Sequence, residues 1–145
     1  MITVKNSYGL KVDTSPTIYI GYDPREHEAD RVLQYTIHKH QTNINTETLN
    51  LLNLRRSGLY RRAPHIDSTC WATGSEEKPH MKDCFDGRPF STDFSFSRFL
   101  VPMLNNYEGY ALFMDCDMYF RTNPMSLFEF IQQPDQQQYA VWVVK

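Results

Sequence analysis

The sequence has little of what marks a specialised class. Only three cysteines, Cys70, Cys84 and Cys116, occur in 145 residues, odd in number and widely spaced. No CxxC and no Cys/His pair at zinc spacing is present, which argues against a structural zinc. An excess of one charge is also missing: 15 Lys and Arg stand against 17 Asp and Glu, a formal net charge of -2. Proteins that bind nucleic acid or a membrane surface usually carry a marked basic excess, so neither partner is expected. No apolar run approaches the roughly 20 residues of a membrane span. The opening MITVKNSYGLKV lacks the apolar core and small-residue cleavage site of a signal peptide. A reduced, cytoplasmic compartment is the default expectation.

What is present is globular. The hydrophobic fraction of 41% and aromatic fraction of 14% are too high for a disordered chain. A chain of this length buries roughly 70% of its unfolded surface, enough for a core without staples. One domain over residues 1–145 is expected, with 1–15 as an N-terminal extension. No internal repeat occurs, and the Gln136–Gln138 run reads as a solvated turn.

The pattern alternates strand and helix. Thr17–Tyr22 (TIYIGY) reads as a first strand after the turn signal Ser15-Pro16. Asp23-Pro24 is a helix start, with Glu26 and Glu28 at the positive end of the dipole. Ala29, Val32, Leu33 and Thr36 give that helix an apolar face up to about His40. Thr46–Leu54 reads as a second strand, and the βαβ start implies a parallel sheet with a right-handed crossover. From Arg55 to Ser91 the periodicity dissolves among Gly58, Pro64, Gly74, Pro79, Gly87 and Pro89. A span of this length without regular pattern is usually functional, so 55–91 is read as a substrate-side loop with short local helices.

Ser91-Thr92-Asp93 then caps an amphipathic helix whose core face is Phe96, Phe99, Leu100, Met103 and Leu104, with Pro102 kinking or ending it. Tyr110–Met114 (YALFM) has the continuous apolarity of a central strand. A short helix is expected after Asn123-Pro124, and Tyr139–Val144 (YAVWVV) reads as a last buried strand.

The informative motif is Asp115-Cys116-Asp117 behind YALFM. On a strand the two aspartates project to one side and Cys116 to the other. Ligands of open α/β sheets bind beyond the carboxyl ends of the strands. Two carboxylates there repel, and a hard divalent cation shared with a diphosphate would relieve the repulsion. The competing reading is a capped strand end with two solvated aspartates.

TIYIGYDPREHEAD, GLYRR, STDFSFSRFLVPML and ALFMDCDMYF together resemble the GT-A glycosyltransferases, especially the group related to glycosyltransferase family 8. The resemblance covers about Thr17 to Lys145 in the same order. It implies an α/β, Rossmann-like GT-A fold: a mainly parallel central sheet with flanking helices, truncated on the acceptor side. It implies a metal-dependent glycosyltransferase taking a UDP-sugar, UDP-glucose or UDP-galactose, with retention of configuration. Asp115 and Asp117 match the metal-binding DxD, with Mn²⁺ (or Mg²⁺) as the cofactor. Gly21, Tyr22 and Asp23 match the nucleotide-binding end of the first strand, Tyr22 to stack on uracil and Asp23 to accept its imide hydrogen. Arg98 matches the helix residue that faces the DxD and the donor, and the backbone of Cys116 lies near the ribose. Arg61 and Arg62 are candidates for a diphosphate or acceptor contact.

Each role has a plainer alternative. Asp23 can be an N-cap, Tyr22 the last residue of its strand, and Arg98 a structural partner of Asp115. Arg55, Arg56, Arg61 and Arg62 can be a solvated face. Trp71, flanked by His65 and His80, is either a sugar platform or a core residue. Relatives in this family continue beyond the strand matched by YAVWVV, into a half that carries acceptor contacts and a metal-binding His. A nucleotide-sugar-binding module without transfer activity is therefore the second reading, and self-association through an exposed sheet edge is expected. Haloacid dehalogenase phosphatases also place DxD after an apolar strand, but near the start of the fold, whereas here it comes four-fifths of the way along.

Overall fold

The computed structural model describes residues 4–5, 11–12, 15–62, 64–66, 81–83 and 85–143. Two short strands, β1 (Val4–Lys5) and β2 (Lys11–Val12), pair antiparallel ahead of the main sheet. The main sheet begins with β3 (Thr17–Gly21), which is buried along its whole length. Its period of two sends Ile18 and Ile20 into one cluster and Tyr19 into another, so the strand carries a core on each face. A 3₁₀ turn, Pro24–Glu26, leads into α1 (His27–His40).

The buried face of α1 is Asp30, Leu33 and Ile37, while Val32 is exposed. This corrects the expected face of Ala29, Val32, Leu33 and Thr36. Leu33 and Ile37 lie one turn apart and set the line that meets the sheet, and helix geometry puts Asp30 on that line although it is polar. Strand β4 (Asn45–Leu49) pairs parallel with β3. It stops at Leu49, short of the expected Leu54, because the Asn50 side chain accepts the Asn53 N–H at 3.1 Å and starts α2 (Leu51–Arg56).

The 55–91 stretch holds regular structure of its own. After α2, strands β5 (Pro64–Ile66), β6 (Met81–Asp83) and β7 (Pro89–Phe90) form a small antiparallel sheet rather than the expected short helices. The β6–β7 connection turns at Gly87, whose φ of +68° favours glycine.

Helical backbone after Ser91-Thr92-Asp93 begins late. A 3₁₀ segment, Ser97–Leu100, runs into a single α-helical turn, α3 (Val101–Leu104), with Pro102 at its start. Pro102 therefore opens the α-helical turn instead of kinking a longer helix, as its fixed φ and missing N–H allow. The 3₁₀ register also moves the core face. Phe94, Ser97 and Val101 are buried, whereas Phe99, expected in the core, is 74% exposed.

Strand β8 (Ala111–Asp115) pairs parallel with β3 on the side away from β4. The sheet order is β4-β3-β8, so among the described residues β8 is an edge strand and β3 is the central one. Helix α4 (Met125–Ile131) follows Asn123-Pro124 as expected and buries Phe128. The expected final strand does not form over Tyr139–Val143. Tyr139 meets Trp142 edge-on, the indole N–H donates to Gln136 Oε1, and Val141 and Val143 face solvent. Local contacts to the glutamine turn hold this segment in place of a ladder; Val144 lies outside the described residues.

The architecture is mixed α/β, with a small three-stranded parallel sheet between helices and compatible with a Rossmann-like arrangement. Packing is close at Gly21. A Cβ added there would stand 2.6 Å from Phe94 Cγ and 2.8 Å from Phe113 Cζ. Gly21→Ala should therefore cost about 1–3 kcal/mol through overpacking. Urea denaturation is expected to show the midpoint falling and Phe94→Leu in the same chain restoring part of it.

Candidate functional site at the carboxyl edge of the sheet

The register of the parallel sheet brings Gly21, Leu49 and Asp115 level at its carboxyl edge. Tyr22 and Asp23 follow one strand and Cys116 and Asp117 follow its neighbour, so the candidates from both ends of the sequence meet at one rim. In open α/β sheets that rim is where ligands bind.

Asp117 is reached by a turn. The strand ends at Asp115, whose carbonyl accepts the Met118 N–H at 3.3 Å, so the two-residue alternation stops before Asp117. Asp117 is exposed, Asp115 is half-buried and Cys116 is fully buried. Burial pushes the Asp115 carboxyl above its ordinary value; Arg98 opposes that rise, and the negative charges of Asp117 and Glu26 add to it. Burial likewise pushes the Cys116 thiol up to about 11, and its S–H donates to Glu26 Oε2 at 3.3 Å. Cys116 is thus an inert core residue rather than a nucleophile.

Glu26 is a member of this rim that the sequence marks only as a dipole partner in the first helical turn. The 3₁₀ turn directs it back across the strand ends, and no sequence spacing signals that.

Arg98 is held in an unusual way. Its guanidinium lies 5.6 Å from the Phe94 ring centre and 5.1 Å from that of Phe113, and Nη2 stands 3.7 Å from Asp115 Oδ1. That last distance makes an ion pair but not a hydrogen bond. Nε is buried without any hydrogen-bond partner. A guanidinium positioned by two aromatic faces, with its N–H groups unspent, is ready for an anionic or hydroxylated ligand.

Asp23 is the opposite case. It is 1% exposed, and both of its oxygens are occupied. Oδ1 accepts the Arg25 backbone N–H at 3.0 Å and Arg25 Nε at 2.8 Å, while Oδ2 accepts Arg25 Nη2 and, at 3.3 Å, the Asp93 N–H. Arg25 Nη2 also donates to the Ser91 carbonyl. Asp23 therefore ties the end of β3 to the segment that carries Phe94 and Arg98. The Tyr22 hydroxyl is hydrogen-bonded to His27 Nδ1 at 3.2 Å, with the two rings edge to face.

The remaining candidates sit elsewhere. Arg62 pairs with the buried Asp83 of β6, its Nε 2.7 Å from Oδ1, and is flanked by Phe85 at 4.7 Å and Phe96 at 4.1 Å. Arg61 Nε donates to the Gly58 carbonyl at 3.3 Å. Both lie in the connection between α2 and β5. Trp71 and His80, together with Cys70 and Cys84, lie outside the described residues, as does the side chain of His65.

Among the described residues no group of three His, Cys, Asp or Glu is arranged to hold a metal. Among the described residues the rim offers carboxylate oxygens from Asp115 and Asp117, with Glu26 turned to the Cys116 thiol. That donor set suits Mg²⁺ or Mn²⁺ when substrate phosphates complete the shell, since such ions often take only one or two carboxylates from the protein. No described helix is long and apolar enough to cross a membrane.

No family model and no solved structure matches the chain. It is similar to Protein CDI of Arabidopsis thaliana, 33% identical over 130 residues. The match covers 88% of this chain and 40% of the relative, so the chain spans well under half the length of the curated protein it resembles.

The Asp23 tie gives a pH-dependent prediction. Burial pushes its carboxyl up, but the hydrogen bonds from Arg25 and Asp93 and the Arg25 charge outweigh burial and hold it below the ordinary value. A depressed acid stabilises the fold fully above the unfolded value, near pH 4, and loses that contribution as pH falls through the folded value. Asp23→Asn should therefore cost about 2 kcal/mol at neutral pH, the scale of hydrogen bonds to a charged group. Urea denaturation at pH 7 and at pH 3 checks this: the gap between wild type and variant should narrow at the lower pH.

Proposed function

We propose that this chain is a metal-dependent glycosyltransferase that takes a UDP-sugar, UDP-glucose or UDP-galactose, as donor. The observation that carries the reading is the Arg98 guanidinium, held on Phe94 and Phe113 with unspent donors beside Asp115. It stands at the edge of a parallel sheet that also bears Asp117. The order of the GYD, SRFLVP and ALFMDCD motifs supports the same assignment.

In this reading Asp115 and Asp117 would hold a divalent cation together with the donor, and that cation would supply Lewis-acid stabilisation of the leaving group. Arg98 directs its fork at a phosphate oxygen or a sugar hydroxyl and keeps the donor in place while positive charge develops at the anomeric carbon. Tyr22 offers an aromatic face for the base. Asp23 acts through position, fixing the loop that carries Tyr22 against the Ser91–Asp93 segment. No described side chain stands out as a nucleophile, so attack from the front face, assisted by the leaving phosphate, is the mechanism consistent with retention.

Titration calorimetry of UDP in the presence of Mn²⁺ tests the donor site. Binding is expected, with Arg98→Ala weakening it by roughly tenfold or more, as loss of a charge-assisted hydrogen bond implies. Arg98→Lys should restore only part of that loss, because an ammonium lacks the planar fork. Asp117→Asn should remove the Mn²⁺ dependence. No heat with UDP and Mn²⁺, or unchanged binding in Asp117→Asn, would overturn the assignment. UDP release from UDP-glucose then separates transfer from binding alone: binding without turnover favours a nucleotide-sugar-binding module.

A further inference from the structure

One contact at the carboxyl rim serves neither the core nor a charge pair. The Tyr22 hydroxyl meets His27 Nδ1 at 3.2 Å, and the two rings stand 6.1 Å apart at an angle of 83°. His27 is exposed and Tyr22 half-buried, so the pair adds little to the core. Rings that meet nearly at right angles leave at least one face of the Tyr22 phenol outside the contact.

Both partners stand on anchored backbone. Gly21, before Tyr22, ends β3, and Asp23, after it, is held by Arg25 and by the Asp93 N–H. His27 is the first residue of α1, and the turns that follow are fixed against the sheet. Asp30 and Leu33 are buried there. Gln34 Nε2 donates to Asp30 Oδ2 at 2.9 Å and stands 3.5 Å from Thr48 Oγ1 of β4. With both main chains set, the freedom left to Tyr22 lies in its side chain. The torsion that turns a tyrosine ring about its own axis is broad. A hydrogen bond at the far end of the ring, together with the perpendicular contact, narrows it.

We infer that His27 is a positioning residue for the nucleobase, holding the Tyr22 ring in the plane on which the base of the donor stacks. The inference rests on the proposed function, in which Tyr22 offers a face to the base. A platform fixed before the ligand arrives loses no freedom on binding, and for one side chain that is worth about fivefold in affinity. In this role His27 touches neither the ligand nor a reacting atom. It acts on the base alone, while the diphosphate depends on Asp115, Asp117 and Arg98.

Titration calorimetry with Mn²⁺ present tests this role, with UDP as a ligand that carries a base and inorganic pyrophosphate as one that does not. His27→Ala should weaken UDP binding by about fivefold, and so should Tyr22→Phe, which removes the hydroxyl and keeps the ring. The double variant should be no weaker than either alone, because both changes remove one interaction. His27→Asn, whose amide reaches the position of Nδ1, should recover most of the loss. Pyrophosphate affinity should stay the same in every variant, which a general disturbance of the rim would not give. Unchanged UDP affinity in both single variants overturns the inference. So does an equal loss for pyrophosphate, or losses that multiply in the double variant. UDP binding by the wild type with unaffected variants overturns the role of His27 alone. No UDP binding by the wild type overturns the donor site, and this role with it.

Discussion

The close approach at Gly21 organises the carboxyl edge of this protein. With no side chain on the last residue of β3, the rings of Phe94 and Phe113 move in to fill the space a Cβ would need. Those two rings are also the surfaces on which Arg98 rests. Asp115 stands directly opposite Gly21 in the ladder, within ion-pair reach of the same guanidinium. One glycine thus sets the depth of the aromatic layer, and the aromatic layer sets where a cation is presented. Chemistry at the rim is inherited from packing beneath it.

A second constraint acts from the side. Phe94 and Arg98 belong to a segment with little helical structure of its own, only a 3₁₀ run and one α-helical turn. Such a segment is not rigid by itself, because short 3₁₀ pieces have poor hydrogen-bond geometry. The buried carboxylate of Asp23, bonded to the Asp93 N–H and to Arg25, which in turn holds the Ser91 carbonyl, fastens its start to the end of β3. Asp83 and Arg62 make a comparable pair, a buried carboxylate bonded to a half-buried guanidinium with Phe96 against it. In both pairs the charges are satisfied internally. Arg98 shares the aromatic packing of Arg62 but has a carboxylate at 3.7 Å where the others have direct hydrogen bonds.

The sequence made the order of the main elements legible and left their phases obscure. TIYIG, the helix behind Asp23-Pro24, ALFMD and the short helix behind Asn123-Pro124 follow from β-branched runs and proline-headed caps, which are local signals. Errors arose where a neighbour decided the outcome. Asn50 ended β4 through one side-chain hydrogen bond, and Asp30 was buried because Leu33 and Ile37 fixed the helix face. Phe99 turned outward because the backbone before Pro102 is 3₁₀ and not α. For the site, the pairing of DxD with Arg98 was legible only through the family resemblance of SRFLVP and ALFMDCD. The contribution of Glu26, the saturation of Asp23 and the removal of Arg62 to Asp83 all depend on tertiary contacts between residues up to 90 positions apart.

The charge balance at the rim constrains what can bind there. Glu26, Asp115 and Asp117 contribute negative charge, and the carboxyl of Asp115 is raised by its burial and by its two acidic neighbours in spite of Arg98. A diphosphate arriving alone would add two or more negative charges beside three carboxylates, with Arg98 near Asp115 and Arg25, already bonded to Asp23, near Glu26. Like charges held close in a partly desolvated site repel one another, and that repulsion opposes the entry of an anion alone. Under the proposed function a nucleoside diphosphate would therefore enter together with a divalent cation, which would neutralise protein and ligand at once. In that reading Arg98 does not suffice for a metal-independent donor site, and occupancy of the rim by an anion is conditional on a metal.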